Sequence, residues 1–262
     1  MDKVKKNYQK ELEEELKKID SMDKKPSLLL HACCGPCSSY VLEYIASHFD
    51  VTVLYYNPNI YPKAEYDRRF NELKNLYKSF LPAISNNVKV VELPYDAEDF
   101  YNAVKTREEP ELAKEEEKGE RCRRCYELRL SKTFDYAKEN GYDYFCTTLS
   151  ISPFKDAQKI NQIGLELEWK AKANLAINDS ISKVSEMAAG DEGIDLDKIN
   201  NKKIPHWLVS DFKKKGGFKR SLELSDEFDM YRQEYCGCVY SLRNREEYLK
   251  EKEKREKENN QN

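Results

Sequence analysis

The sequence predicts an α/β protein: an open, mainly parallel sheet of about five strands with helices on both faces, followed by a helical C-terminal part. Three observations predict it. Short runs rich in β-branched and aromatic residues occupy 27–32, 51–56, 88–93, 142–148 and 204–209, each of strand length. Longer stretches with helical spacing lie between them, so the strands pair in parallel through right-handed crossovers. The chain has 262 residues, and its charged ends leave roughly 200 for the interior, enough for one well-buried domain.

In chain order, residues 1–25 form a Lys- and Glu-rich segment expected as a charged, solvated N-terminal helix. After the first strand, Val41, Leu42, Ile45 and Phe49 recur at helical spacing. The second crossover, 66–80, gathers Phe70, Leu73, Leu76, Tyr77 and Phe80 on one broad face. Residues 122–138 and 156–172 read as further helices. Two stretches read as excursions from the sheet: 107–120, acidic and running up to Gly119, and a polar insertion at 178–203 containing Gly190 and Gly193. The tail at 246–262 is again charged, which leaves 26–245 as a single catalytic α/β domain. No internal repeat is present, and no glycine-rich phosphate loop of either common type follows the first strand.

Charge constrains the partners. Charged residues make up 35% of the chain, yet 45 basic residues nearly balance 48 acidic ones, leaving a net charge of -3. No global field draws nucleic acid, so such contacts must rest on local clusters. Lys213, Lys214, Lys215, Lys219 and Arg220, around Gly216 and Gly217, make a basic segment suited to a phosphate backbone. Tyr55, Tyr56, Tyr61 and Phe154 are aromatic side chains available for stacking on bases. No run approaches the roughly 18 apolar residues that span a bilayer, and the opening Met-Asp-Lys-Val-Lys-Lys is no signal segment. A cytoplasmic setting without membrane contact is therefore expected. In that reducing compartment, eight cysteines point to metal or redox chemistry rather than to a disulfide framework.

The cysteines cluster. Cys33, Cys34 and Cys37 sit in His-Ala-Cys-Cys-Gly-Pro-Cys directly after the first strand, Cys122 and Cys125 in Arg-Cys-Arg-Arg-Cys, and Cys236 and Cys238 in Tyr-Cys-Gly-Cys. Only Cys146 stands apart, as a small core side chain in the fourth strand pattern. Cys122 and Cys125, three apart on a helix, share a face and can grip one metal centre. Free amides where Cys34 to Cys37 open a helix favour thiolate over thiol, and soft iron and zinc centres select thiolates. In open α/β sheets, ligands bind beyond the carboxyl ends of the strands at the topological switch point, here walled by the loops after Ala32 and Thr148. Cys236 and Cys238 are too close in sequence to clasp one helix face. Oxidised, they close a small, strained ring of the labile, catalytic kind.

Other readings compete. A zinc-stapled, non-catalytic RNA-binding module needs four ligands for its structural site, and seven clustered cysteines exceed that number. Cys34-Gly35-Pro36-Cys37 matches the thioredoxin dithiol, but a thioredoxin-like oxidoreductase is about half this length and needs no further cysteine pairs. An ATP-dependent enzyme on a nucleotide-binding α/β fold needs a glycine-rich pyrophosphate loop where Cys33 to Cys37 stand.

Taken together, His31-Ala32-Cys33-Cys34-Gly35-Pro36-Cys37, Tyr56-Asn57-Pro58-Asn59-Ile60, Arg121-Cys122-Arg123-Arg124-Cys125, Thr147-Thr148-Leu149-Ser150-Ile151-Ser152-Pro153 and Tyr231-Arg232-Gln233-Glu234-Tyr235-Cys236-Gly237-Cys238 resemble the signatures of the QueH-type epoxyqueuosine reductases. The resemblance runs in order from about Leu28 to Arg245. It implies a Rossmann-like fold similar to nucleotide-binding PP-loop proteins, and reduction of the epoxide of epoxyqueuosine at the tRNA wobble position to give queuosine. It also implies a [4Fe–4S] cluster, an auxiliary metal ion (iron or zinc), and an electron donor. By position, Cys33, Cys34, Cys122 and Cys125 would anchor the cofactor and Cys37 would be a further metal ligand. Cys236 and Cys238 would form the redox-active pair. Because adjacent cysteines do not easily reach one iron together, Cys33 and Cys34 are expected on different metal atoms. His31, Asp156 and Tyr235 are candidates for proton delivery.

Overall fold

A computed structural model describes residues 5–189 and 203–259. Five strands run in the spatial order β3-β2-β1-β4-β5, all parallel. They are β1 (Ser27–His31), β2 (Asp50–Tyr55), β3 (Lys89–Glu92), β4 (Tyr144–Thr147) and β5 (His206–Trp207), each inside a stretch that the sequence marks as a strand or one residue from it. Alternate side chains on a strand point to opposite faces, and the core divides accordingly. Leu28 and Leu30 of β1, with Val51, Val53, Tyr144 and Cys146, pack under α2 (Gly35–Ile45) and α3 (Lys63–Ser79). Leu29, Leu54, Phe145 and Trp207 pack under α6 (Glu120–Glu139) and α7 (Ala157–Ala189). The short helices α4 (Leu81–Ser85) and α5 (Ala97–Val104) complete the crossovers, and α8 (Gly217–Glu227) and α9 (Val239–Asn259) make the C-terminal helical part.

Three expectations change. The N-terminal helix, α1 (Tyr8–Asp20), is not solvated all round: Tyr8, Leu12, Leu16 and Ile19 are buried in the core beneath β1 and β4. Each buried leucine or isoleucine contributes roughly 1.5–3 kcal/mol, so α1 is part of the domain. The acidic stretch before α6 is no excursion either. The Glu115 carboxylate accepts the Glu120 and Arg121 amides at 2.7 Å each, capping α6, and Glu109 pairs with Arg124. The first part of the polar insertion continues α7 to Ala189, whereas 190–202, including Gly190 and Gly193, lie outside the described residues. In the C-terminal tail, residues 246–259 continue α9 and 246–258 are exposed, whereas 260–262 lie outside the described residues.

The edge strand β5 has only two residues, and α7 holds it. The Glu168 carboxylate accepts the Trp207 amide at 2.8 Å and meets His206 Nδ1 at 2.6 Å. Asn161 Oδ1 accepts from Trp207 Nε1 and the Ser210 amide. Gly164 lets α7 come this close, since a Cβ there would stand 2.1 Å from the Trp207 ring. Burial alone would raise the Glu168 pKa, but hydrogen bonds from His206, Lys172 and the Trp207 amide outweigh it and hold the carboxyl at about 2. A depressed carboxyl pKa contributes stability that is complete above the ordinary carboxylate range and is lost as pH falls towards the folded value. Glu168→Gln is therefore expected to cost about 2 kcal/mol at neutral pH. In chemical denaturation the deficit should shrink between pH 4.5 and about 2.

Candidate active site

The chain leaves β1 for β2 and β3 on one side and returns to β4 on the other, so the switch point lies at the carboxyl ends of β1 and β4. His31 closes β1, and its burial fixes both ring nitrogens: Thr147 Oγ1 lies 2.8 Å from Nδ1 and the Tyr56 carbonyl 3.1 Å from Nε2. The carbonyl can only accept, so Nε2 carries the hydrogen. Burial, with the nearby Arg129 charge, lowers the imidazole pKa to about 4. His31 is thus a neutral brace between β1, β4 and the loop after β2, and this geometry does not suit the expected proton delivery.

Beyond His31, the Cys33, Cys34 and Cys37 sulfurs all lie within 4.8 Å of one another, a group able to hold a metal ion. Cys34 is the N-cap of α2 and its Sγ accepts the Cys37 amide at 3.4 Å. Cys33 and Cys34 sulfurs are 3.9 Å apart. Two thiolates on one tetrahedral ion stand about 3.8 Å apart for bonds of ~2.3 Å, so adjacency in sequence does not force these two onto different metal atoms. The helix-start cysteine is also not the acidic one. Burial pushes Cys34 up to about 12, whereas hydrogen bonds from the Cys34 and Cys37 thiols hold Cys33 well below the ordinary thiol range.

The other clustered cysteines come from α6 and the 236–238 bend. Cys122 and Cys125 lie in the first two turns of α6, and both lie near Cys236 and Cys238. Burial raises Cys122 to about 11 and Cys125 to about 12. The Cys236-Gly237-Cys238 bend is clamped onto the domain. Arg69, itself buried and paired with Glu65 at 2.7 Å, donates to the carbonyls of Cys236 and Tyr235, and the Tyr61 amide donates to the Gly237 carbonyl. Gly237 has φ +123, a backbone that L side chains rarely adopt, and a Cβ there would sit 3.0 Å from Arg69 Nη1. All eight cysteines are free thiols.

Two buried cations lie near members of both sulfur groups. Arg129 feels Cys125, Cys236 and Cys33, and Lys155 feels Cys236, Cys33 and Cys37. Neither is ion-paired with a carboxylate among the described residues, and Arg129 Nη2 has no hydrogen-bond partner. Unpaired buried charge is costly. This donor set therefore fits a negatively charged, thiolate-bound metal group, whose charge the two cations would balance. Arg129, Lys155 and Gln233, whose Nε2 donates to Cys34 Sγ at 3.1 Å, are absent from the sequence-based site. The available signal was Arg129 on the same helix face as Cys122, Cys125 and Tyr126. Cys33, Cys37, Lys155, Gln233, Tyr235 and Cys236 open onto a cavity of about 320 Å³.

The remaining candidates separate. Asp156 caps α7, its Oδ1 accepting the Gln158 amide at 2.9 Å and the Lys159 amide at 3.2 Å. Tyr235 lines the cavity but donates its hydroxyl to the Tyr61 carbonyl at 2.7 Å. The basic segment is largely neutralised: Lys213 pairs with Asp211, Lys215 with Glu13, Lys219 with Glu223, and Arg220 with Glu43 and Glu227. Tyr55 and Tyr56 belong to the interior, whereas Tyr61 and Phe154 are exposed.

The sequence profile described as "Epoxyqueuosine reductase QueH" matches residues 28–190 and 195–244. The chain belongs to the QueH family. The epoxyqueuosine reductase QueH of Streptococcus pyogenes serotype M1 is 37% identical over 237 residues, covering 90% of this chain and 78% of that protein. That of Staphylococcus aureus is 34% identical over 235 residues, covering 90% and 83%. A solved U34-tRNA thiolase from Methanococcus maripaludis, with its [4Fe–4S] cluster, overlaps at a TM-score of 0.42 and 13% identity, over 88% of this chain and 67% of that one. Every cysteine falls within the QueH match, whereas α1 and the segment before it lie outside. Among the described residues, no helix is long and apolar enough to cross a membrane.

Proposed function

We propose that this chain reduces the epoxide of epoxyqueuosine in tRNA, giving queuosine at the wobble position. The observation that carries the reading is that Cys33, Cys37 and Cys236, from stretches far apart in sequence, open onto one cavity beside the unpaired Lys155. The ligand set we favour is a [4Fe–4S] cluster anchored by Cys33, Cys34, Cys122 and Cys125, with an auxiliary iron or zinc ion reached by Cys37. When bound, these groups supply single-electron transfer and a Lewis acid.

The chain's own residues supply the rest. Removing the epoxide oxygen as water consumes two electrons and two protons. Oxidation of Cys236 and Cys238 from dithiol to disulfide releases that number of each, and an external electron donor restores the dithiol. Burial alone would favour loss of the Lys155 proton, but the neighbouring sulfurs of Cys236, Cys33 and Cys37 favour its retention. Its ammonium on the cavity wall is placed to stabilise negative charge developing on the epoxide oxygen and to hand it a proton. Arg69 and Gly237 hold the Cys236–Cys238 bend in place, and Gln233 steadies the Cys34 sulfur.

The test is anaerobic reconstitution with iron and sulfide, then incubation with epoxyqueuosine-containing tRNA and a reductant. The expected product is the nucleoside lighter by one oxygen. Protein that holds iron and sulfide in stoichiometric amounts yet leaves the epoxide intact would sink the reading.

A further inference from the structure

We infer that a second, lysine-lined groove, built partly by the N-terminal segment outside the QueH match, binds the RNA strand that carries the substrate base into the cysteine cavity. This rests on the tRNA reading above and names the surface that serves it. The groove has a volume of about 1350 Å³ and is lined by Lys5, Lys6, Lys118, Lys214, Trp169 and Lys155, among others. Lys155 lines the cysteine cavity as well, so the two spaces adjoin.

The N-terminal side of the groove is fastened in place. The Gln158 side chain at the start of α7 accepts the Lys6 amide at 3.2 Å and donates to the Lys6 carbonyl at 3.0 Å. Next along the chain, α1 is anchored by its buried stripe and by the ion pair between Glu13 and Lys215. The charge in the groove is lopsided. Seven lysines line it against three acids, Asp156, Glu166 and Asp211, and Asp211 is paired with Lys213. Lys5, Lys6, Lys118 and Lys214 have no carboxylate partner among the described residues. Unpaired ammonium groups along a groove suit a phosphate backbone.

Trp169 selects the kind of polyanion. Its indole is 68% exposed on α7. An exposed indole beside free lysines is the pairing used to stack unpaired bases while the strand's phosphates are held. On the cavity side of Lys155, Phe154 is 66% exposed and offers a second ring. A folded acidic protein would use the lysines and leave the indole unstacked.

The chain has 2 tryptophans, and Trp207 is only 1% exposed, so quenchable emission reports on Trp169. Titration of the full chain with an anticodon stem-loop RNA is expected to quench that emission. Trp169→Ala should weaken binding about tenfold and abolish the quenching. Lys5→Ala/Lys6→Ala/Lys214→Ala should weaken binding at low salt and make the log–log salt slope shallower by about 2. All four positions are exposed, so the variants should fold. Wild-type protein that converts the substrate, paired with variants whose affinity and salt slope are unchanged, overturns the groove and leaves the reductase reading standing. Groove-dependent RNA binding by protein that never reduces the epoxide supports the groove and removes the reductase.

Discussion

Cys122→Ser is expected to strip iron and acid-labile sulfide from anaerobically reconstituted protein and to lower turnover at least about a thousandfold, roughly 4 kcal/mol of barrier. The argument is geometric and chemical. Cys122 opens α6 with Cys125 one turn on, both turned towards Cys236 and Cys238. Serine has nearly the shape of cysteine, but its hydroxyl gives up a proton far less readily and is a hard donor where iron favours soft sulfur. Helix α6 and its cap through Glu115 should survive, so thermal unfolding of the metal-free protein should barely move. Cys146→Ser is the control: Cys146 is buried in β4 and contacts the Leu208 carbonyl and Ser210, away from both sulfur groups. Full iron content and turnover in Cys122→Ser, with loss in a Cys37 variant, would show that the Cys33, Cys34 and Cys37 group suffices and that the α6 pair is no anchor.

The sheet could be read from the sequence because strand burial is local information. Leu28, Leu29 and Leu30 are apolar on both faces, as a central parallel strand demands, and the crossover helices show their stripes within a few turns. The N-terminal helix was misread because Leu12, Leu16 and Ile19 are outnumbered by Lys and Glu. Its stripe is narrow, and only the fold reveals the core it meets. The sulfur clusters were visible as spacings, but the groups around them were not. Arg129 and Lys155 look like ordinary surface charges until tertiary packing removes their water. The converse error concerns Lys215 and Arg220, whose partners Glu13 and Glu43 lie far away in sequence. A basic cluster on paper is then a set of ion pairs in space, worth little individually and poor bait for phosphate. His31 and Asp156 stand close to the sulfur chemistry in sequence, yet one braces strands and the other caps a helix. Proximity along the chain identifies the neighbourhood of a site, not the work each polar side chain does there.

Arg129→Met should separate stability from metal retention, with opposite signs. The guanidinium is buried, its Nε donates to the Cys125 carbonyl at 3.2 Å, and Nη2 has no partner. Met has a similar length and no charge to desolvate. In metal-free protein the substitution removes a buried cation that has no carboxylate partner among the described residues, so unfolding should become harder by about 1–3 kcal/mol. In loaded protein the same change removes positive charge facing the sulfurs that would hold a negatively charged group, and metal affinity should fall about tenfold to a hundredfold. Denaturant unfolding after chelation measures the first effect, and competition for iron against a chelator measures the second. An Arg129 that merely fills space would make the two fall together or leave both unmoved. A divergence would mean that the chain keeps a destabilising charge in its interior because the sulfur site needs it, the usual mark of a residue retained for function at the expense of stability.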